Sequence, residues 1–217
     1  MVPVLHNYFR SSTSFRVRIA LNLKGISYTY AAHHLRKGEH KSSDFLAVNP
    51  QGLLPSLVWE DGTVLHQSLA ILEFLEEARP QPAILPQGAQ DRARVRALAQ
   101  MIGCEIHPVN NLRILDALRT RFSANDEQVG DWFRHWVGET FAPLEQILAT
   151  SPQTGLFCHG DTPGLADICL VPQVINNARF KVDMSPYPVI SRIHEECMKI
   201  AAFADAAPAR QPDFEPA

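Results

Sequence analysis

Apolar residues recur with two different periods over the first eighty positions, which predicts a segment that alternates strands with helices. Three stretches combine strand-forming residues with flanking turn residues, and they are VPVLHNY, ISYTYAAHHL and LPSLVWEDGTVLHQS. The pair Asp61-Gly62 divides the last of these into two strands joined by a hairpin turn. Three further stretches show helical spacing, and they are SFRVRIALNLKG, SSDFLAV and QSLAILEFLEEARP. The predicted order of elements is therefore β-α-β-α-β-β-α.

The first predicted helix carries an apolar residue at every fourth position, at Phe15, Ile19 and Leu23, so we expect one buried face. A glycine, Gly25, follows its last turn and ends the helix, because glycine adopts a positive φ without strain. Two arginines at positions 16 and 18 lie within the same helix. We interpret Arg16 and Arg18 as structural ion-pair partners.

The pattern changes after the stretch ARPQPAILPQG, whose prolines and glycine predict a linker. Helical spacing then dominates in DRARVRALAQMIGCEIHPVNNLRILDALRTRF, QVGDWFRHWVGETFAPLEQIL, GLADICLVPQVINNARF and YPVISRIHEECMKIAAFADA. The sequence thus predicts two domains, an α/β domain over residues 1–83 and an all-α domain over residues 84–217. The closing ARQPDFEPA is polar and rich in proline, which predicts a surface extension.

One helix of the second domain has an unusual predicted start at Gly164-Leu165-Ala166-Asp167. Glycine is a tolerable N-cap, only a few tenths of a kcal/mol worse than serine or threonine. The carboxylate of Asp167 can still accept hydrogen bonds from backbone N–H groups at that start. We therefore expect the helix to form.

The composition restricts the classes of function. Of 217 residues, 46% are hydrophobic and 20% are charged, as in soluble globular proteins. The formal net charge of -3 leaves no basic surplus to neutralise phosphates, which argues against nucleic acid as the main partner. No apolar run reaches the length of a membrane span, and the N-terminus lacks the pattern of a secretory signal.

Four scattered cysteines indicate free thiols in a reducing cytoplasm, which is the predicted location of the protein. Cys104 and His107 stand three positions apart in a predicted helix, a spacing that two metal ligands can have. No second pair of ligands completes a four-coordinate site. No metal ion is therefore predicted.

The stretch RSSTSFRVRIAL places three consecutive hydroxyl residues, Ser11, Ser12 and Thr13, where the first strand gives way to the first helix. A hydroxyl at such a junction is normally an N-cap. The start of a helix also offers unpaired N–H groups and partial positive charge, which favour an anion. The residues alone leave both roles open.

Several segments resemble zeta-class glutathione transferases in the same order along the chain. They are SSTSFRVRIALNLKG, NPQGLLPSL, LHQSLAILEFLEE, IHPVNNLRIL, LADICLVPQVINNARFKVDMSPYP and the closing QPD. This family includes maleylacetoacetate isomerases and bacterial maleylpyruvate isomerases. The resemblance implies a thioredoxin-like N-terminal domain that binds glutathione, an all-helical C-terminal domain that binds substrate, and a cytoplasmic homodimer.

The resemblance also implies roles for the residues of the first turn. Ser11 matches the serine that stabilises the thiolate of glutathione, and Ser12 and Thr13 lie close enough to assist. Thr13 replaces a cysteine that is common in the family. This departure removes an enzyme thiol, but the nucleophile implied by the family is the cofactor's own sulfur. Arg10 stands next to this site and offers a cation for an acidic substrate.

Further glutathione contacts follow from the same resemblance. Pro55 matches a cis proline, which would leave the backbone of Leu54 to bind the cysteinyl part of glutathione. Gln67 and Ser68 match the residues that bind the γ-glutamyl carboxylate. His40 matches a residue near the glycyl end. A strand-start proline, an ordinary helix cap and a surface histidine are the alternative interpretations of these positions.

The substrates of the family carry two acid groups, so a small dicarboxylic substrate is implied. Arg179 matches the family arginine that holds a substrate carboxylate, and Arg10 is a second candidate because it stands next to the thiolate site. Arginine suits this role because its planar guanidinium can bind a carboxylate through two hydrogen bonds. His107 and Asn111 are four positions apart, which places them on one face of a long predicted helix. They match contacts to glutathione or substrate, and Arg113 adds charge nearby. The alternatives are surface arginines and a histidine beside a proline kink.

The implied reaction is the glutathione-dependent cis-trans isomerisation of maleylacetoacetate to fumarylacetoacetate, in the breakdown of tyrosine and phenylalanine. A second hypothesis is a maleylpyruvate isomerase of gentisate-type degradation. The threonine in the active-site turn of those enzymes resembles Thr13. A third is a non-catalytic glutathione-binding module. That third hypothesis predicts a decayed Ser11 turn, whereas the turn in this sequence is intact.

Overall fold

Residues 1–216 are described by a computed structural model in which the chain separates into two units. The first unit contains Met1–Ile84 together with the segment that begins at Met198, and the second contains Leu85–Cys197. The sequence predicted a boundary between residues 83 and 84, with all later residues in the second domain. In the structure, the segment that begins at Met198 belongs to the α/β unit instead.

The first unit is built on a mixed sheet with the strand order β2-β1-β3-β4. Its strands are β1 (Val4–Asn7), β2 (Thr29–Ala32), β3 (Ser56–Val58) and β4 (Val64–His66). Strand β1 runs parallel to β2 and antiparallel to β3, and β3 is antiparallel to β4. The helices of this part are α1 (Ser12–Leu23), α2 (Ser43–Val48) and α3 (Ser68–Ala78). The predicted β-α-β-α-β-β-α order is confirmed.

Two glycines end elements where the sequence predicted. Gly25 follows α1 with φ +64, and its N–H donates to the carbonyl of Asn22. Gly62 lies in the hairpin between β3 and β4 with φ +90, and its N–H donates to the carbonyl of Trp59. A side chain would strain both backbones, so glycine fits each turn.

Helix α1 is buried on all its faces, which corrects the prediction of a single buried face. Every residue from 13 to 21 is buried, including Arg16 at 1% exposure and Arg18 at 0%. The helix packs against α3 and against α10 (Ala201–Ala204), a short helix of the returning C-terminal segment. The polar residues of α1 are covered because a distant part of the chain packs over them.

The second unit is helical throughout its regular elements. It contains α4 (Ala89–Gln100), a π-helical turn (Met101–Ile106), α5 (His107–Asn110), α6 (Leu112–Phe122), α7 (Asp126–Thr150), α8 (Leu165–Arg179) and most of α9 (Pro188–Met198). No helix among the described residues is long and apolar enough to span a membrane.

The long helix predicted over residues 91–122 is interrupted, and this prediction is wrong. Pro108 has no N–H to donate and favours a break in the hydrogen-bond ladder. The preceding turn is π-helical, with the N–H of His107 bonded to the carbonyl of Ile102. Asn111 then adopts an extended backbone with ψ 164 and becomes the N-cap of α6. The chain therefore changes direction between α5 and α6.

Helix α8 starts at the predicted position, with Gly164 as its N-cap. Asp167 is 1% exposed and accepts hydrogen bonds from the N–H groups of Gly164, at 2.8 Å, and Cys158, at 2.9 Å. The predicted reach of this carboxylate is confirmed. Burial raises the pKa of the Asp167 carboxyl, and the two donated hydrogen bonds oppose that shift.

Candidate active site

Ser11 is the N-cap of α1 and lies directly after the strand-to-helix turn. Its backbone is extended, at φ -68 and ψ 114, and its Oγ accepts a 3.1 Å hydrogen bond from the N–H of Ser14. Ser12 and Thr13 are already helical, so the capping role belongs to Ser11 alone among the three hydroxyls. The half-buried Ser11 places its hydroxyl at the positive end of the helix.

A chain of hydrogen bonds joins this turn to a loop that is distant in sequence. The hydroxyl of Thr13 donates to the carbonyl oxygen of Leu54 at 3.1 Å, and its Oγ1 lies 2.9 Å from Oγ of Ser11. Since the proton of Thr13 points to Leu54, the Ser11 hydroxyl is the donor of the second bond. A hydroxyl can rotate, so Ser11 can redirect this proton to an anion.

The Leu54–Pro55 peptide bond is cis, as the sequence predicted. The N–H of Leu54 has no hydrogen-bond partner among the described residues, while its carbonyl is held by Thr13. Asn49 binds residues on both sides of this peptide bond. Its Nδ2 donates to the carbonyl of Leu53 at 2.8 Å and to Oγ of Ser56 at 3.1 Å. Sequence reasoning missed Asn49, although its position before a proline signals a turn.

Gln67 and Ser68 open helix α3 at the end of β4. Gln67 is exposed, has a positive φ of 67, and donates from Nε2 to Oε1 of Gln51 at 2.9 Å. Ser68 is 5% exposed, and its Oγ accepts a 3.3 Å hydrogen bond from the buried Arg16. A guanidinium behind a helix start favours an anion there. Gln51 was not predicted as a site residue.

His40 lies in a 3₁₀ turn (Glu39–Lys41) that passes close to Gly52. An added Cβ at Gly52 would come within 2.9 Å of the carbonyl oxygen of His40, and Gly52 has φ +59. The loop and the turn therefore approach each other because position 52 has no side chain. Burial lowers the pKa of the His40 imidazole, and Lys41 and His33 lower it further.

Arg10 lies in the strand-to-helix turn, next to Ser11, and is half-buried. Its guanidinium lies 5.1 Å from the centre of the Phe9 ring and donates to the backbone carbonyl of Glu215 at 3.0 Å. The carboxylate of Glu215 pairs with Lys37 at 2.9 Å and with His34 at 3.1 Å. The predicted surface extension is thus a segment bonded back onto the first unit.

Arg18 was interpreted as an ion-pair partner, and the structure corrects this. It donates to neutral oxygens, which are the carbonyls of Ala206, Tyr8 and Phe9 and the side-chain amide of Asn7. Three of these four acceptors are backbone carbonyls, so main-chain groups satisfy most of the buried guanidinium.

The remaining predicted residues belong to the second unit. His107 is half-buried, and Arg113 is exposed on α6. Asn111 does not share a helical face with His107, because its side chain caps α6 and donates to the carbonyl of Pro108 at 2.9 Å. Arg179, at the exposed end of α8, donates to Oδ1 of Asn176 at 3.0 Å.

The structure therefore brings together six predicted residues of the first unit into two groups. One group joins Ser11, Thr13 and Leu54 through hydrogen bonds, and Pro55 follows Leu54 directly. The other group is Gln67 and Ser68, which carry a side-chain amide and a hydroxyl at the start of α3. Each group combines hydrogen-bond donors with a helix N-terminus, an arrangement that suits a peptide-like anion.

Comparisons with known proteins point to one family. The glutathione S-transferase N-terminal domain family matches residues 10–78. A maleylpyruvate isomerase from a Ralstonia species is 51% identical over 96% of this chain and 98% of its own. A maleylacetoacetate isomerase from Pseudomonas aeruginosa is 44% identical over 96% and 97%.

Solved structures show the same relationship. A holo maleylpyruvate isomerase, described as a bacterial zeta-class glutathione S-transferase, superposes with a TM-score of 0.95 at 50% identity and covers 98% of this chain and 100% of its own. A maleylacetoacetate isomerase from Methylobacterium extorquens AM1 with bound malonate and GSH gives 0.95 at 39% identity, with coverage of 98% and 100%. This chain has the glutathione transferase fold and belongs to the zeta-class family of glutathione transferases that contains the maleylpyruvate and maleylacetoacetate isomerases.

Proposed function

We propose that this protein is a glutathione-dependent cis-trans isomerase that converts maleylacetoacetate to fumarylacetoacetate. The observation that carries the proposal is the hydrogen-bonded group of Ser11, Thr13 and Leu54 at the N-terminus of α1. This group offers a rotatable hydroxyl, a helix N-terminus and an unpaired backbone N–H. A relative named maleylacetoacetate isomerase, 44% identical to this chain, supports the same reaction.

The residues of the first unit fit glutathione. The N–H of Leu54 beside Pro55 is available for the backbone of the cysteinyl part. Ser68, with Arg16 behind its hydroxyl, suits the γ-glutamyl carboxylate, and Gln67 adds a side-chain amide. His40 is the proposed contact to the glycyl end.

When bound, glutathione would supply a nucleophilic thiolate for the reversible addition and elimination that convert a conjugated cis alkene to its trans isomer. The hydroxyl of Ser11 donates to the sulfur and lowers the pKa of the thiol, as the helix N-terminus also does. Ser12 and Thr13 assist within the same turn. Redirecting the Ser11 proton from Thr13 to sulfur is the step that this chain contributes.

The proposed substrate contacts are cationic. Arg10 and Arg179 bind the two carboxylates through their planar guanidinium groups, and Arg113 adds positive charge. His107 and Asn111 contribute polar contacts to glutathione or substrate. Holding both acid groups would fix the position of the alkene, and the nearby positive charges would stabilise negative charge that develops on the substrate.

The wider setting is proposed from the family. We infer a cytoplasmic homodimer that acts in the catabolism of tyrosine and phenylalanine. A mass measurement in solution tests the dimer, since a monomeric mass at micromolar concentration would contradict it.

A second candidate function is the isomerisation of maleylpyruvate in gentisate-type degradation. The maleylpyruvate isomerase from Ralstonia is 51% identical to this chain, whereas the maleylacetoacetate isomerase from Pseudomonas aeruginosa is 44% identical. Thr13 in place of the common cysteine resembles the maleylpyruvate group. This difference concerns the substrate and leaves the cofactor and the chemistry unchanged.

The deciding experiment assays both maleyl acids with and without glutathione, on the wild type and on Ser11→Ala. We expect isomerisation of at least one acid only with glutathione, and a loss of most of that activity in the variant. The acid with the higher kcat/KM identifies the substrate. Glutathione binding without turnover of either acid would instead support the non-catalytic module.

A further inference from the structure

The carboxylate of Asp213 lies against the turn that precedes Ser11. Its Oδ2 accepts a 3.1 Å hydrogen bond from the backbone N–H of Phe9, and its Oδ1 accepts a short hydrogen bond from the hydroxyl of Tyr30. Tyr30 lies on β2, directly beside Leu5 of β1. Asp213 thus ties the C-terminal segment to the turn that follows β1, through Phe9, and to β2, through Tyr30.

Arg18 holds the same turn through its carbonyl side. The guanidinium donates to the carbonyls of Tyr8, at 3.3 Å, and Phe9, at 3.1 Å, and to Oδ1 of Asn7 at 3.0 Å. Its Nε donates to the carbonyl of Ala206 at 3.0 Å, which anchors the C-terminal segment to the same side chain. Burial lowers the pKa of Arg18 to about 10, and the negative charge of Asp213 acts against that shift.

These contacts fix consecutive peptide groups immediately before the nucleophile-binding turn. Phe9 is 0% exposed, and both its N–H and its carbonyl are bonded, to Asp213 and Arg18 respectively. The N–H of Ser11 donates to the carbonyl of Tyr8 at 3.0 Å. The position of Ser11 therefore depends on Tyr8 and Phe9. Asp213 binds the N–H of Phe9, and Arg18 binds the carbonyls of both residues.

We propose that Asp213 is a positioning residue for Ser11, acting through the N–H of Phe9. The proposal rests on the proposed function, since it assigns Ser11 to the sulfur of glutathione. A carboxylate can hold two donors at once, and Asp213 uses both its oxygens in this way. Without it, the buried N–H of Phe9 loses its acceptor, which is a costly state for a backbone group.

A positioning role and a simple charge effect predict opposite signs for the pKa of bound glutathione. A negative charge near the site would by itself raise the thiol pKa, so its removal would lower that pKa. Loss of positioning weakens the hydrogen bond from Ser11 to the sulfur and raises the thiol pKa. The direction of the shift therefore separates the two explanations.

The experiment compares Asp213→Ala, Asp213→Asn and the control Asp205→Ala with the wild type. Asp205 lies in the same segment, is exposed, and contributes its backbone carbonyl to Gln211, which the substitution retains. Ultraviolet absorbance of the thiolate against pH gives the pKa of bound glutathione, and steady-state kinetics separates kcat from KM. Amide hydrogen exchange at Phe9 and Ser11, measured without glutathione, reports on the turn itself.

For Asp213→Ala we expect hydrogen exchange at both amides to accelerate by about tenfold or more. The pKa of the bound thiol should rise by about one unit, and kcat/KM at neutral pH should fall by about tenfold. Asp213→Asn keeps an acceptor for Phe9 and should recover most of the wild-type values, and Asp205→Ala should match them. If Asp213→Ala does not fold, Tyr30→Phe, which removes one of the two donors, should give the same changes to a smaller extent.

Unchanged exchange and thiol pKa in folded Asp213→Ala would overturn the proposal, and so would a lower thiol pKa in both Asp213 variants. A wild type that fails to bind glutathione or to isomerise either maleyl acid would refute the proposed function. In that case faster exchange in Asp213→Ala alone would still show that Asp213 holds the turn.

Discussion

The hydroxyl of Thr13 donates a 3.1 Å hydrogen bond to the carbonyl oxygen of Leu54, which lies forty-one positions away in the sequence. This bond joins the N-terminus of α1 to the loop of the cis proline. Thr13 therefore acts first as a connection between two parts of the candidate site. The Thr13 hydroxyl donates its proton to Leu54, whereas the Ser11 hydroxyl can rotate and donate to a bound anion.

Thr13→Ala should weaken glutathione binding more than it lowers kcat. The substitution removes the bond that orients Leu54 but leaves Ser11 in place, and a single hydrogen bond contributes about 1 kcal/mol, or roughly a fivefold change in Kd. Calorimetric titration with glutathione measures the change. Thr13→Ser keeps the donor and is the control. A larger fall in kcat for Thr13→Ala than for Ser11→Ala would reverse the assigned roles.

Ser11→Ala should lose both a helix cap and a contact to the thiolate. Loss of the cap lowers the free energy of unfolding by about 1 kcal/mol. Loss of the sulfur contact should lower kcat/KM by about tenfold to a hundredfold, since a hydrogen bond to a charged group contributes about 1.5–3 kcal/mol. Urea denaturation and the isomerase assay measure the two effects.

The matched control is Ser42→Ala, because Ser42 caps α2 in the same unit and accepts from the N–H of Phe45 at 3.3 Å. Its loss should reduce stability by a similar amount and leave the isomerase activity unchanged. Equal activity losses in the two variants would show that Ser11 acts only as a cap.

A hydrogen-bonded pair of histidines should make stability depend on pH. Nδ1 of His6 lies 2.9 Å from Nε2 of His33, and the rings stack at 5.1 Å. Burial lowers the pKa of both imidazoles, and the neighbouring His33 lowers the pKa of His6 further. The folded chain thus favours the neutral rings, which can share one proton in the bond between them.

Because the folded pKa values lie below the ordinary value of 6.5, the unfolded chain binds more protons in the interval between them. This contribution to stability is complete above about pH 6.5 and is lost as the pH falls through the folded values. Urea denaturation at about pH 7.5 and at about pH 5 should show a lower free energy of unfolding in acid.

The variants His6→Leu and His33→Leu should flatten this dependence. Phe45 contacts both rings, at 5.7 Å from His6 and 4.4 Å from His33, and has no titratable group. Phe45→Leu should therefore lower stability at both pH values and keep the slope. An unchanged slope in the histidine variants would assign the acid sensitivity to other groups.

Asp167→Ala should destabilise the second unit strongly. The substitution leaves the buried N–H of Cys158 and the N–H of Gly164 without their acceptor, and each unsatisfied group costs about 1–3 kcal/mol. Thermal and urea unfolding measure the loss. Gly164→Thr, which adds a capping hydroxyl, should instead stabilise by a few tenths of a kcal/mol. No gain from Gly164→Thr would contradict its interpretation as a tolerated but weaker cap.

Local chemistry in the sequence was sufficient for the elements of the first unit. The hairpin at Asp61-Gly62, the end of α1 at Gly25 and the cap at Ser11 each depend on a few adjacent residues. The helix start at Gly164 was predicted for the same reason. Such features can be inferred from a sequence because turn and cap preferences act over four or five positions.

The tertiary structure alone decided the features that depend on distant residues. The periodicity of apolar residues predicted one buried face for α1, but α10 and the C-terminal segment also pack against this helix. Arg18 is therefore buried and donates to a main-chain carbonyl of that segment. The helix is interrupted at Asn111, whose extended backbone makes it the N-cap of α6, a break that a proline at position 108 favours but does not dictate. The bond from Asp213 to Phe9 spans most of the chain. A local pattern cannot encode such a partner, because the free energy of the contact exists only once the distant segments have packed together.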